Sequence, residues 1–312
     1  MLFLLLQKKV IFFYSGEMRF FSLLLTSALF CQTALFADEE RSYTYWDVHP
    51  LHVAGNAIFL GSASLSETPY GGDLVFNKEA ASCHLLVPIN EKNFFIPRVE
   101  WATFEMNWDH NPKFEATRFN YLQFALTFFT NQLDQWRWIL RSDYNMDTDH
   151  FGDSRYGLFS ALIWGAYEIW PDWHYHVGAY AYSGMEGSQV YPLIGLDYTW
   201  GENWLLLFIF PIDYMLKYKF NENWSLALKG RPLKERFRTG VHQTQPRSIF
   251  SYSSIGTELN LRYEVFLRVE AEIFGGCNFG GNFYIKDQWG HNSLYSEVGF
   301  SPYGGANLNN GI

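Results

Sequence analysis

The strongest constraint in this sequence is a two-residue alternation of apolar and polar side chains that begins at residue 52 and recurs almost to the C-terminus. Successive side chains of an extended strand point to opposite faces, so this period specifies sheet with one face in an apolar medium and the other in water. Residues 265–273 put Val265, Leu267, Val269, Ala271 and Ile273 on one face and Phe266, Arg268, Glu270 and Glu272 on the other. Residues 135–144 set Trp136, Trp138 and Leu140 against Arg137, Arg141 and Asp143. The same split recurs at 190–200, 214–220, 224–231 and 255–263. Their polar faces carry Asp197, then Lys217 and Lys219, then Lys229 and Arg231, then Glu258 and Arg262. The pattern predicts strands at 52–65, 80–90, 95–108, 117–130, 135–145, 156–169, 173–183, 190–200, 204–211, 213–220, 224–231, 249–263, 264–276 and 293–302. Pro211 either interrupts one long strand or turns a short hairpin, so the expected count is 12–14.

Ahead of the alternation, residues 20–36 form the one long apolar stretch, with Arg19 before it and Ala37-Asp38-Glu39-Glu40 after it. This is the shape of a secretory signal peptide, 1–37, with Met18 as an alternative start. Phe30 stands where a lipobox before Cys31 needs a small residue, which argues against lipidation. Residues 38–312 carry no Pro- or Ser-rich linker and read as a single domain. Their longest apolar window, Trp204–Ile212, falls well short of the ~18–20 residues of a spanning helix. The chain has 23 basic and 32 acidic residues, a net charge of −9, and lacks the basic excess that phosphate contacts with nucleic acid require.

Soluble sandwiches also alternate, and three features favour a membrane barrel instead. Aromatic residues make up 20% of the chain and bracket tight polar turns, as in Trp200-Gly201-Glu202-Asn203-Trp204, Phe220-Asn221-Glu222-Asn223-Trp224 and Trp170-Pro171-Asp172-Trp173, which suits rings seated at a lipid headgroup layer. These turns alternate with longer polar connections at 66–79, 109–117, 146–155, 184–189, 232–248 and 277–292, the expected periplasmic and extracellular ends of a barrel. The polar faces mix Gly, Tyr, His and both charge signs, as a confined lumen would. The fold class expected is therefore all-β, an antiparallel transmembrane β-barrel of about 12–14 strands behind a cleaved signal peptide.

The segment Ile194–Trp204, then Phe210-Pro211 and Leu216–Leu226, resembles the bacterial outer-membrane β-barrel proteins, specifically an uncharacterised barrel family with a domain of unknown function. The resemblance implies a bacterial outer-membrane location and assigns no activity and no catalytic residue. Such barrels commonly end on an aromatic residue, whereas this chain continues beyond Phe300 and Tyr303. Either the last strand stops near Tyr303 with a tail, or the assembly signal is atypical.

Alternation assigns Arg137, Arg141, Lys217, Lys219, Lys229, Arg231, Arg262 and Arg268 to the lumen with Asp143, Asp197, Glu258, Glu270 and Glu272, a basic excess that predicts a porin-like channel with weak anion preference. The alternative is a non-transporting structural or surface barrel, followed by a lipid hydrolase and a soluble periplasmic β-protein. The hydrolase reading rests on His291-Asn292-Ser293, with Glu297 as an orienting acid. His174 and His176 share a face, but no third metal ligand is evident and luminal hydrogen bonding is expected of them. Gly275–Gly281 reads as a flexible loop. Cys83 and Cys277 are placed at the extracellular rim on either side of the barrel seam, where an intramolecular or intermolecular disulfide is expected. No cofactor or metal is called for. The expected partners are outer-membrane lipids, the barrel assembly machinery and a second copy of the chain, with no nucleic acid.

Overall fold

The computed structural model describes residues 51–66, 72–109, 111, 113, 115–185, 187–265 and 269–311. The signal peptide at 1–37, the acidic run at 38–40, Phe266 and Arg268 lie outside them.

Sixteen β segments follow in order: β1 (Leu51–Ser66), β2 (Asp73–Leu85), β3 (Val87–Asn90), β4 (Asn93–Trp108), β5 (Arg118–Thr130), β6 (Trp136–Asp147), β7 (Gly157–Trp170), β8 (Trp173–Gly184), β9 (Ser188–Trp200), β10 (Trp204–Phe210), β11 (Asp213–Lys219), β12 (Trp224–Arg238), β13 (Ile249–Val265), β14 (Val269–Lys286), β15 (Asn292–Val298) and β16 (Ser301–Gly311). β3 continues β2 along β4, and β15 and β16 are two halves of one strand running between β14 and β1. The result is a closed antiparallel barrel of fourteen strand positions, sealed where β16 pairs with both β1 and β14. Closure leaves the sheet no free terminal strand, which is what lets so apolar a sheet exist without aggregating.

An even strand number puts Leu51 and Gly311 on the same rim as the turns at 171–172, 201–203 and 221–223. Asparagine side chains brace the turns at 201–203 and 221–223. Asn221 Oδ1 accepts from the backbone N–H of Asn223 and of Trp224, at 2.9 Å each, and Asn223 Nδ2 donates to the Glu264 carbonyl at 2.8 Å. Gly201 takes φ +63°, a left-handed conformation that suits its place in the two-aromatic turn.

The faces follow the alternation. Outward rings at the tight-turn rim touch from strand to strand, Tyr167 on Trp136, Trp173 on Tyr198, Trp200 on Trp204, Trp204 on Tyr218, and Trp224 on Tyr263, and Trp138 stacks on Trp136 along β6. This girdle crosses β6 to β13, the aromatic pairs seen in the sequence having been joined by strand pairing. Above it, outward Leu126, Leu140, Ile163, Val177, Ile194, Phe208, Leu228 and Leu259 are exposed.

Several boundaries differ from the sequence expectation. β2 begins at Asp73 rather than 80, β12 runs on to Arg238, and β14 extends to Lys286 through the Gly-rich segment expected to be a loop. Those glycines serve close approach of backbones: a Cβ on Gly276 would strike the Thr257 carbonyl and one on Gly281 the Ser253 carbonyl. The last strand continues past Tyr303 to Gly311, because ladders on both sides hold residues whose side chains carry no strand signal. Pro211 turns the short hairpin between β10 and β11.

Candidate functional site in the lumen

The lumen is built from two walls. On β12, β13, β14 and β16 a ladder of ion pairs climbs from the tight-turn rim. Arg262 pairs with Glu270 at 2.5 Å, Lys229 with Glu272 at 3.3 Å, and Arg231 with both carboxylate oxygens of Glu258 at 2.6 and 2.7 Å. Glu272 also accepts from Asn307 at 2.6 Å, and the Arg231 guanidinium lies 4.6 Å from the Phe274 ring centre. On β6 to β9, Asp197 accepts from two imidazoles, His174 Nδ1 at 2.8 Å and His176 Nε2 at 2.9 Å. Trp164 Nε1 donates to His176 Nδ1 at 3.0 Å and Arg137 approaches His174 Nε2 at 3.2 Å. These two neighbours fix both tautomers, leaving each imidazole to present its remaining N–H to Asp197. Higher on the same wall Arg141 holds Asp143 at 2.5 Å, and Ser160 donates to Asp143 at 3.1 Å.

Of the residues that alternation assigns to the interior face, Arg137, Arg141, Lys229, Arg231, Arg262, Asp143, Asp197, Glu258, Glu270 and Glu272 take part in the contacts above, and register sets Lys217 and Lys219 opposite the buried Ala227 and Ser225. Alternation missed a further set, because Lys78, Arg98, Glu100, Glu168, Asp213 and Glu235 also face inward. Lys78 on β2 reaches Glu235 on β12 at 2.7 Å, Arg98 pairs with Glu100, and Arg137 reaches Glu168 at 3.1 Å. These pairs place further carboxylates and cations together on the interior face. The signal was present in the alternation of 74–84 and 94–108, but a strand started at 80 leaves Lys78 in a loop.

Above the ion pairs the lumen is crossed by aromatic rings. Phe104 on β4 meets Phe237 on β12 at 4.6 Å between ring centres, Phe119 on β5 meets Phe237 at 5.0 Å, Phe76 on β2 meets Tyr252 on β13 at 4.6 Å, and Trp108 on β4 meets Phe283 on β14 at 5.2 Å. A round fourteen-strand barrel, with strands ~4.8 Å apart and tilted ~40°, has a backbone diameter of roughly 28 Å. Ring contact across it requires a flattened section, so these residues form a septum. One side is packed solid with Leu60, Leu74, Ile285 and Val298. The other side keeps a cavity of about 630 Å³, bounded by Lys78, Tyr121, Arg141, Tyr182, Met185, Ile212 and Leu233.

The mouth opposite the tight turns is roofed. Gln243 Oε1 accepts from the Glu115 N–H at 2.6 Å and the Ala116 N–H at 3.1 Å, joining the β4–β5 and β12–β13 connections. Tyr156, at the end of a short 3-10 turn (Ser154–Tyr156), is buried, stacks on His150 at 3.9 Å and donates to the Thr239 carbonyl at 3.3 Å. In this same connection, hydrogen bonds from Arg155 hold the Asp153 carboxyl at about 2, well below the usual carboxylate range.

Cys83 does not sit at the rim. Because β2 starts at Asp73, Cys83 lies ten residues down the strand, and it points outward, as does Cys277 in mid-β14. Following the ladders from Cys83 through Val53 and Asn310 arrives at Val269, eight residues short of Cys277. That separation exceeds the reach of a disulfide within one chain, and both thiols are free here. Thiol labelling of unreduced, denatured protein is expected to count two thiols per chain; one or none would show a bridge between molecules or a rearranged seam. His291 Nδ1 faces Asp287 at 3.2 Å on an exposed hairpin tip, rather than Glu297.

No protein-family model matches the chain. It is similar to an uncharacterised protein of Chlamydia pneumoniae, 24% identical over 195 residues, which is 62% of this chain and 58% of that protein. The chain thus spans less than two thirds of that relative. Among solved structures it is similar to the P. putida toluene transporter TodX, with 9% identity, a TM-score of 0.35, and 89% of this chain and 94% of that chain covered. Others are the siderophore receptor PirA from Pseudomonas aeruginosa, at 8% identity, a TM-score of 0.27 and coverage of 84% and 81%, and a mutant of Rh. blastica porin, at 9%, 0.24, and 83% and 99%. At these scores, closure and strand number rest on the chain's own ladders.

Proposed function

We propose that the protein is an outer-membrane channel of porin-like plan, narrow and closed in this conformation by its septum and roof. The observation that carries the reading is the cavity of about 630 Å³ inside a closed barrel whose outer face is an apolar band over an aromatic girdle. An apolar exterior and a charged interior are the inverse of a soluble domain, and only a bilayer makes that arrangement favourable. The tight-turn rim then faces the periplasm and the roofed mouth faces outward. Charge selectivity is weak, because the lumen carboxylates offset its cations, and leans toward anions through Lys217 and Lys219 near the periplasmic mouth.

Planar-bilayer recording with a KCl gradient tests this. Small conductance with a reversal potential slightly on the anion side is expected, and exchanging Lys217 and Lys219 for Glu should carry it to the cation side. Marked cation selectivity of the unmodified protein would overturn the lumen assignment. The septum favours a second reading, a structural barrel without transport, which would be supported if no conductance is seen even after the septum is removed.

A further inference from the structure

Strand lengths around the barrel are unequal in one place. β10 and β11 have seven residues each, whereas β9 has thirteen and β12 fifteen. Seven residues at ~3.4 Å each, tilted ~40°, rise roughly 18 Å, less than the apolar band of ~25 Å that a barrel wall covers. The hairpin starts at the girdle, at Trp204, so its tip at Pro211 and Ile212 stops short within the outer half of the band. Above the tip, the ladder between β9 and β10 ends at Ile194 and that between β11 and β12 at Gly230. Ser188–Leu193 and Arg231–Arg238 therefore run on with a notch between them.

Among the described residues, side chains bar this notch. From β12, Lys234 Nζ reaches Tyr191 Oη at 2.7 Å and Gln189 Oε1 at 3.2 Å and lies 4.4 Å from the Tyr182 ring centre. Arg236 Nη1 donates to the Gly184 carbonyl at 3.4 Å, and its guanidinium is 5.2 Å from the same ring. Lys234, Arg236, Tyr182, Tyr191 and Ile212 also line the cavity, so these side chains divide the cavity from the exterior. Outside them stand Val190, Ile194 and Phe210, all more than half exposed. An apolar approach, a pair of cations at the threshold, and a cavity continuing inward to Leu162, Leu233 and Met185 form one path. The axial route, by contrast, meets the septum rings and the contacts of the roof.

The geometry points to this notch as a lateral portal that admits a single-chain anionic amphiphile, a long-chain carboxylate, from the outer leaflet into the cavity. The carboxylate replaces Tyr191 and Gln189 as partner of Lys234 and bonds Arg236, which frees the bar, while the alkyl chain enters the apolar part of the cavity. The proposal rests on the membrane placement given above and is independent of ion conduction.

Two measurements on the full chain test it. In detergent micelles, a fluorescent long-chain carboxylate should bind saturably, at least tenfold weaker to Lys234→Glu or Arg236→Glu, while the alcohol of equal chain length binds weakly to all three. Equal affinity for the variants, equal binding of the alcohol, or displacement by inorganic phosphate as effective as by free carboxylate would overturn the assignment. In liposomes, Val190→Cys in a Cys83→Ser, Cys277→Ser background is modified with a bulky maleimide on the lipid side of the notch. Transfer of the probe from membrane to cavity should slow at least tenfold with conductance unchanged, and an unaltered transfer rate would refute the lateral route. Micelle binding needs neither membrane nor pore, so its failure is separate from a failure of the channel reading.

Discussion

Replacing Phe104 and Phe237 together by alanine is expected to raise single-channel conductance several-fold and to lower resistance to urea. Phe104 is fully buried, and Phe237 is touched by Phe104, Phe119 and Phe250, so this one residue ties β4 and β5 to β12 and β13 across the lumen. Truncating a buried Phe removes transfer energy and leaves a void, at a typical cost of about 3–5 kcal/mol. The two rings share a contact, so the double variant should lose less than the sum of the singles. Ladder hydrogen bonds are untouched, and the barrel should still migrate as a folded species on unheated gels. A conductance unchanged in the double variant would show that the septum is not the constriction.

Glu258→Ala should be the most destabilising single charge removal in the interior. The Glu258 side chain is fully buried and holds Arg231 through two hydrogen bonds, so truncation strands a guanidinium in the wall. Removing one partner of a buried pair typically costs about 3–5 kcal/mol, mostly because the remaining charge is left without compensation. Replacing both members, as Arg231→Met with Glu258→Leu, should recover most of that loss, since the apolar pair packs beside Phe274 with no charge to bury. Urea titrations of the unmodified protein and the two variants in liposomes measure the coupling. If the double variant is as unstable as Glu258→Ala, the pair is not acting as a unit.

The two predictions draw on different parts of the chain's legibility. Alternation was enough to put Arg231 and Glu258 on one face, because a β-strand has only two faces and one of them is full of leucine and aromatic residues. It could not say that they touch. That follows from register, in which Arg231 stands opposite Gly256 and reaches the neighbouring Glu258 diagonally. The turn aromatics likewise announced the girdle, since each tight turn brings its two flanking rings onto adjacent strands.

The septum left no trace in the sequence. Phe104 and Phe237 are one hundred and thirty-three residues apart, and Phe104 reads simply as an apolar position near the end of the strand expected at 95–108 while Phe237 falls within the connection expected at 232–248. The bounds of β2, β12 and β14 were misjudged for a related reason. Near the roofed mouth, inward residues are apolar and outward residues polar, as in Leu74 and Phe76 beside Asp73 and Asn77, which is the reverse of the pattern lower down. A sequence read for a greasy outside and a wet inside therefore loses the strand where the pattern reverses.

The sequence by itself determined the class of fold, a strand count within 12–14, the turn-bearing rim and much of the membership of the two faces, because these follow from local periodicity and turn chemistry. Tertiary structure alone decided that the section is flattened, which interior charges meet in pairs, that two cysteines drawn to one rim stand far apart, and that a short hairpin leaves a notch beside a cavity. Those outcomes depend on register and closure, which bring residues from opposite strands within reach of one another, and no window along the chain contains that information.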